Sequence, residues 1–227
     1  MRLVNEHLTR QMDIINPDSM NHRIMIIGAG AIGSFTALSL AKMGFTDITV
    51  WDHDTVDTVN MNSQFYPYSA IGKYKVEALA KQIKEYANVE IKANAYKWEG
   101  EVLPKGIVVC AADCMSVRRR VFETNRLHTR FIDSRMGAEF AILHSFSPLD
   151  AEARANYEKT LHTNGQGEQV PCTAKATVYT ATLLAGMVVK NIKDVVTNND
   201  PIRTMLWDIA GNGQEVYRES LFKKQEE

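Results

Sequence analysis

The chain has 227 residues, 45% of them hydrophobic, a formal net charge of −1 and three cysteines. That length and apolar content suit one large α/β domain or two small ones with a real core. The near-neutral balance gives no bulk attraction for nucleic acid. An odd, sparse cysteine set (Cys110, Cys114 and Cys172) is no disulfide framework. Residues 1–6 lack the apolar run of a signal peptide, and no stretch nears the roughly 18 apolar residues of a membrane span. The expectation is a soluble, cytoplasmic protein with no nucleic-acid or membrane partner.

In chain order, residues 1–22 read as a short helical arm ending in a turn at Asn16-Pro17-Asp18. Arg23 to Ile27 is a continuous apolar run, the pattern of a strand buried on both faces. Glycines follow, then an apolar, small-residue helix from Ser34 to Met43 and a strand from Asp47 to Trp51. Residues 55–71 look irregular. Val76, Leu79, Ala80 and Ile83 recur at helical spacing, so Lys73 to Tyr86 is expected to be a helix. Glu90–Ala95 alternates like a strand, and Gly106–Ala111 reads as another buried strand. A helix is expected over Ser116–Leu127, with Arg118-Arg119-Arg120 on a solvated face. Phe131–Asp133 and Ala138–Phe146 read as strands. Residues 148–171 are polar and read as an exposed crossover or flexible loop. Thr177–Lys193 reads as a helix, and Arg203–Ile209 with Gln214–Arg218 as a β-hairpin around Gly211-Asn212-Gly213. The expected fold is a single α/β, Rossmann-like domain over 1–227. Its sheet is mainly parallel, with helices on both faces and a C-terminal β-hairpin.

The motif that carries chemistry is Gly28-Ala29-Gly30-Ala31-Ile32-Gly33, placed between a strand and a helix. Gly28 permits the tight turn, Gly30 lets backbone approach a pyrophosphate, and Gly33 lets helix and strand pack closely. Phosphate would sit at the helix N-terminus, where free N–H groups and the dipole favour an anion. Asp52 follows Gly33 by 52 − 33 = 19 residues, near the roughly 20 expected of a ribose-binding acid. This much serves NAD or ATP equally.

Downstream lie Asp54, Asn60, Gln64, Lys75 and Asp113. No His or Tyr-Lys acid–base pair for hydride transfer stands out. An enzyme that adenylates a carboxylate needs a cation on phosphate oxygens and a carboxylate for Mg²⁺. Lys75 and Asp113 suit those roles, and Asp113 falls just beyond a parallel strand's C-terminal end, where such sheets bind ligands. The same residues have plainer readings: Lys75 as a solvated residue opening a helix, Asp113 as a helix cap.

With these residues assembled, the chain resembles the ThiF/MoeB group, bacterial relatives of ubiquitin-activating enzymes. The likeness rests on Gly28–Ser34, Asp52-His53-Asp54-Thr55-Val56, Asn60-Met61-Asn62-Ser63-Gln64, Gly72-Lys73-Tyr74-Lys75 and Ala112-Asp113. It extends to Arg10-Gln11 upstream and to the hairpin near Trp207-Asp208. The resemblance implies ATP and Mg²⁺ as cofactors, with Asp52 on the ribose and Asn60, Gln64 and Lys75 on the phosphates. It implies Asp113 on the metal, and Arg10 reaching the triphosphate of a neighbouring subunit in a homodimer. It further implies adenylation of the C-terminal glycine of a small ubiquitin-like or sulfur-carrier protein.

The chain departs from the family at three points. Ser63 stands where the pattern carries an arginine, with Lys73 nearby in sequence. The paired Cys-x-x-Cys zinc ligands are missing, Cys110-x-x-x-Cys114 is no zinc spacing, and the histidines form no ligand pattern, so no zinc is expected. The 227 residues read as a minimal adenylating core, with no conjugating or sulfurtransferase domain expected in them. Cys172 reads either as an acceptor thiol, activated near a helix start, or as an inert buried cysteine. Two other functions compete: a non-catalytic ATP-binding scaffold or partner subunit, motivated by Ser63 and the missing zinc cysteines, and an NAD-dependent oxidoreductase, resting on the glycine loop and Asp52 alone.

Overall fold

The computed structural model describes residues 6–124, 126–161 and 176–218. Its strands are β1 (Ile24–Ile27), β2 (Ile48–Trp51), β3 (Lys92–Asn94), β4 (Ile107–Cys110), β5 (Arg130–Gly137), β6 (Phe140–Phe146), β7 (Ile202–Asp208) and β8 (Gly213–Arg218). Its helices are α1 (Ala31–Lys42), α2 (Lys75–Ala87), α3 (Met115–Thr124), α4 (Ala151–Glu158) and α5 (Val178–Val196).

All eight strands form one sheet in the order β3-β2-β1-β4-β5-β6-β7-β8. The pairs from β3 through β5 are parallel, and β5 to β8 continue antiparallel. β1 and β4 are apolar at every position and wholly buried, as strands covered on both faces must be. One face carries α1, α2 and α5, whose Leu40, Leu79, Ile83, Leu184 and Val188 pack with Ile26, Val50 and Ile132. The other carries α3 and α4, where Val121, Phe122, Ala153 and Tyr157 pack on Phe131, Phe146 and Val108.

The helices follow from their sequences. α1 buries Ile32, Thr36, Ala37 and Leu40 together with Gly33 and Ser34. It is enclosed because its small residues let α5 and the sheet approach from different sides. α2 turns Val76, Leu79 and Ile83 inward and leaves Glu77, Lys81 and Lys84 exposed. It stops at Asn88, which takes the left-handed conformation (φ 54°) of a helix C-cap.

Three expectations need correction. The arm at 6–20 is two short 3₁₀ segments, Glu6–Gln11 and Pro17–Met20, rather than one helix. The polar stretch from 148 is not all loop: α4 starts at Asp150, whose carboxylate accepts from the Ala153 N–H at 2.9 Å. Ala153 and Tyr157 supply its buried face. Residues 162–171 of that stretch lie outside the described residues. The arginine run at 118–120 is not a uniformly solvated face either, for Arg118 is buried and bonded to a carboxylate. No helix among the described residues is long and apolar enough to cross a membrane.

Candidate functional site

The glycine loop leaves β1 at the boundary between β2 and β4. Gly28 has φ +102°, and a Cβ there would lie 2.6 Å from the Ala111 carbonyl oxygen. A side chain is therefore refused on two grounds, conformation and contact. A Cβ on Gly33 would lie 1.9 Å from the Gly28 carbonyl oxygen, so the loop can fold back onto α1 only with glycine there. Gly30 differs: it has negative φ, and a Cβ would meet nothing within 4 Å. Gly30 is also the N-cap of α1, and no side chain caps that end. The first N–H groups of a helix have no intrahelical acceptor, so this mouth has both the space and the donors for an anion.

The acids and Lys75 line one side of this loop. Asp52 follows β2 directly. Its Oδ2 accepts the Ala29 N–H at 2.7 Å and its Oδ1 the Asp54 N–H at 2.9 Å. Asp54 in turn accepts from the Lys75 ammonium at 2.8 Å. Burial raises the Asp54 carboxyl, but the hydrogen bond and charge of Lys75 outweigh it and hold the carboxyl below its ordinary value. Lys75 opens α2 yet is 7% exposed, so it is not the solvated lysine of the plainer reading. Asp52, His53 and Asp54 also bring three ligand-type atoms within 4.8 Å of one another. The bonds just described already engage both carboxylates.

The segment 57–66 is built by local hydrogen bonds. Asn60 Oδ1 accepts the Asp57 N–H at 2.8 Å, while the Asn60 carbonyl accepts from Ser63 and Gln64. Asn60 thus shapes the turn through its oxygen and keeps its amide nitrogen as a donor. Ser63 is buried. Gln64 Oε1 is buried with no hydrogen-bond partner, which is costly unless a further group supplies one. The sequence reading missed Tyr66, whose hydroxyl donates to the Ala29 carbonyl oxygen at 2.6 Å. An aromatic followed by Pro67 inside a polar stretch was the available signal.

Asp113 lies beyond β4, at the turn into α3, and is exposed. Gly28 packs against residues 111 and 112, so the strand end bearing Asp113 borders the glycine loop. The structure thus brings Gly28, Gly30, Gly33, Asp52, Asp54 and Lys75 into one connected group, with Asp113 along its edge. Arg10 is not part of it. Its arm is pinned to the far end of α1, where Gln11 Nε2 donates to the Met43 carbonyl at 2.6 Å. Twelve helical residues separate that end from the loop, roughly 18 Å at 1.5 Å per residue. Cys172 lies outside the described residues.

The sequence profile of the ThiF family matches residues 10–227. The NEDD8-activating enzyme E1 catalytic subunit of Caenorhabditis elegans is 34% identical over 105 residues, 44% of this chain and 24% of that protein. Ubiquitin-like modifier-activating enzyme 5 of Culex quinquefasciatus is 36% identical over 69 residues, 30% of this chain and 17% of that protein. The matches thus span a quarter or less of those relatives. In three dimensions, E. coli MccB solved with ATP superposes with TM-score 0.73 at 16% identity, covering 94% of this chain and 71% of that one. PaaA superposes with TM-score 0.72 at 16% identity, covering 94% of this chain and 72% of that one. Both share the fold.

Proposed function

The chain belongs to the ThiF family, and from that premise we propose that it adenylates the C-terminal carboxylate of a small ubiquitin-like or sulfur-carrier protein, using ATP. A carboxylate oxygen of the carrier's terminal glycine attacks the α-phosphorus. The bond from that phosphorus to the β-phosphate bridging oxygen breaks, and pyrophosphate leaves with the negative charge.

The observation that carries this reading is the chain of contacts from Ala29 through Asp52 and Asp54 to Lys75. It ties the open space at Gly30, where a Cβ would meet nothing within 4 Å, to a buried cation. A hydride-transfer site has no comparable use for Lys75 and the metal carboxylate Asp113 together. The residues fit ATP: the uncapped α1 N-terminus takes phosphate oxygens, Lys75 neutralises them, and Asp52 reaches the ribose. The unpartnered buried Oε1 of Gln64 is an acceptor, which a hydroxyl donor of the nucleotide rather than a phosphate oxygen would satisfy, and Asn60 offers its amide N–H. Asp113, a hard oxygen donor, would hold Mg²⁺, which when bound supplies charge neutralisation for the leaving pyrophosphate. The relatives' names, activating enzymes for ubiquitin-like proteins, and a structural neighbour solved with ATP support the substrate class.

We assign Arg10 to the nucleotide of a second subunit in a homodimer, since its arm lies far from its own chain's loop. Cys172 stands as a candidate acceptor of the activated acyl group. The protein is read as cytoplasmic and free of zinc.

The test is magnesium-dependent exchange of labelled pyrophosphate into ATP, run with candidate carriers ending in Gly-Gly. Exchange should require the carrier, and Asp113→Ala should lower it about 100-fold or more with an unchanged circular-dichroism spectrum. A chain that does not bind ATP would sink the reading. Ser63, buried and neutral where the family pattern has arginine, favours a second one: an ATP-binding partner subunit without turnover. Tight ATP binding with no exchange against any carrier would select it.

A further inference from the structure

A buried charge group lies beside the proposed site, among residues given no role there so far. Asp133 on β5 has no exposed surface, and Arg118 on α3 is 6% exposed. One Asp133 oxygen accepts from the Arg118 guanidinium. The other accepts from Arg135 Nε at 2.6 Å and from the Tyr157 hydroxyl at 3.1 Å. Burial works against the Asp133 carboxylate, but Arg118 and Arg135 outweigh it and hold the carboxyl below its ordinary value. Arg135 also donates to the carbonyl and hydroxyl oxygens of Thr160, each at 3.0 Å. Asp133 is thus tied to α4 through Tyr157 and, by way of Arg135, to Thr160 just beyond that helix.

Arg118 reaches the site with the rest of its guanidinium. Nη1 also donates to the Ser134 carbonyl at 3.1 Å, and Nη2 donates to the carbonyl oxygen of Ala112. Ala112 immediately precedes Asp113. From the other side the glycine loop presses on the same strand end. A Cβ at Gly28 would lie 3.1 Å from the Ala112 nitrogen, and the Ala111 N–H donates to the Ile27 carbonyl at 2.8 Å. The backbone leading to Asp113 is thus gripped between the phosphate loop and a planar fork whose direction a buried carboxylate fixes. A lysine ammonium at 118 keeps the charge but has no rigid fork to aim.

We propose that Arg118, anchored on buried Asp133, is a positioning residue. It sets the Asp113 carboxylate against the glycine loop and so governs how strongly magnesium tightens ATP binding. This rests on the metal role given to Asp113 above.

The test is calorimetric titration of ATP, with and without Mg²⁺, into the full chain and its variants. The quantity read is the factor by which Mg²⁺ tightens binding. Arg118→Lys should cut that factor about five-fold or more. In an Asp113→Ala background the same change should have no further effect, because both act through one carboxylate. A general loss of structure would add in either background. Arg119→Ala removes a neighbouring bond to the Leu161 carbonyl and should leave the factor alone. Tyr157→Phe, which spares both ion pairs, covers the case in which Arg118→Lys does not fold, and should cut the factor about two-fold. In the metal-free chain, Arg118→Lys should also speed amide hydrogen exchange at residues 112–114. A folded Arg118→Lys chain with the full magnesium factor overturns this proposal alone. A wild-type chain that binds ATP without any magnesium effect overturns both it and the Asp113 assignment.

Discussion

The Tyr66 hydroxyl donates to the carbonyl oxygen of Ala29 at 2.6 Å, while Asp52 accepts the N–H of the same residue at 2.7 Å. The second residue of the phosphate loop is therefore held at both of its polar groups by side chains far off in sequence. Tyr66→Phe should leave the Ala29 carbonyl buried and unpaired, at a cost of about 1–3 kcal/mol, read as a lower midpoint in urea. ATP should bind several-fold more weakly. Burial, then the charges of Asp52 and Asp54, push the hydroxyl well above its ordinary value, so the donor persists through neutral and mildly alkaline pH. Unchanged stability in the phenylalanine variant would remove the clamp from the account.

The glycines separate stability from binding. Gly33→Ala sets a methyl 1.9 Å from the Gly28 carbonyl oxygen. It should cost about 2 kcal/mol or more through a forced shift of loop against helix. Gly30→Ala meets open space and should fold within about 1 kcal/mol of wild type. Its methyl would nonetheless stand where the proposed phosphate approaches, so ATP affinity should fall. Thermal melts and ATP titration of the two variants give opposite patterns if Gly30 faces the ligand.

Lys75→Met keeps the aliphatic bulk and removes the cation. We expect ATP binding to weaken about tenfold, the scale of a lost charge-assisted bond to phosphate. Asp54 gives the same pair a pH signature. Its folded carboxyl lies below its ordinary value of 3.8. The stabilisation it contributes is therefore complete above that value and fades as pH falls through the lower folded value. The gap in stability between wild type and variant should narrow below about pH 4. Half of the Asp54 side chain is exposed, so screening keeps that gap small.

His144 on β6 titrates with the opposite polarity of charge. Burial, then the nearby Arg135, lower its imidazolium to about 4 from an ordinary 6.5, against a smaller opposing pull from Asp133. Above pH 6.5 the ring is neutral folded or unfolded and contributes no pH dependence. From 6.5 down to about 4 only the unfolded chain takes the proton, and stability drains away, by on the order of 3 kcal/mol in full. His144→Gln should flatten the urea midpoint across that window. Asp133 titrates below 3.8 when folded, so its own loss begins at lower pH. A wild-type profile level from pH 7 to 4 would contradict the neutral, half-buried ring.

The half that carries the glycine loop was legible because its signals are local. Four apolar residues at Ile24–Ile27, a turn that only glycine can make and an acid one strand later occupy about 30 residues. Each states its structural need in its own residue type. The rest depended on partners remote in sequence. α4 has only Ala153 and Tyr157 to bury, too thin a stripe to set a helical period, although its Asp150 cap was readable. Arg118 sits in an arginine triplet that looks like a solvated surface, and its carboxylate lies 15 residues away on another element. Nothing in the local pattern distinguishes it from Arg120, which is exposed. The arm is seated on α1's far end by Leu8 and Met20 against Gly44, a contact that nothing local in its sequence announces.

The contact between Gly28 and Ala111 joins two stretches of chain that a genetic screen would treat as unrelated. Any side chain at 28 must displace the Ala111 peptide, and that peptide carries the turn to Asp113. A substitution aimed at the phosphate loop would therefore register at the proposed metal carboxylate, 113 − 28 = 85 residues downstream. In a deep mutational map the two positions should behave as one epistatic locus. A compensating change for a damaged loop is then best sought on the α3 side, where Arg118 grips the other edge of the same peptide run.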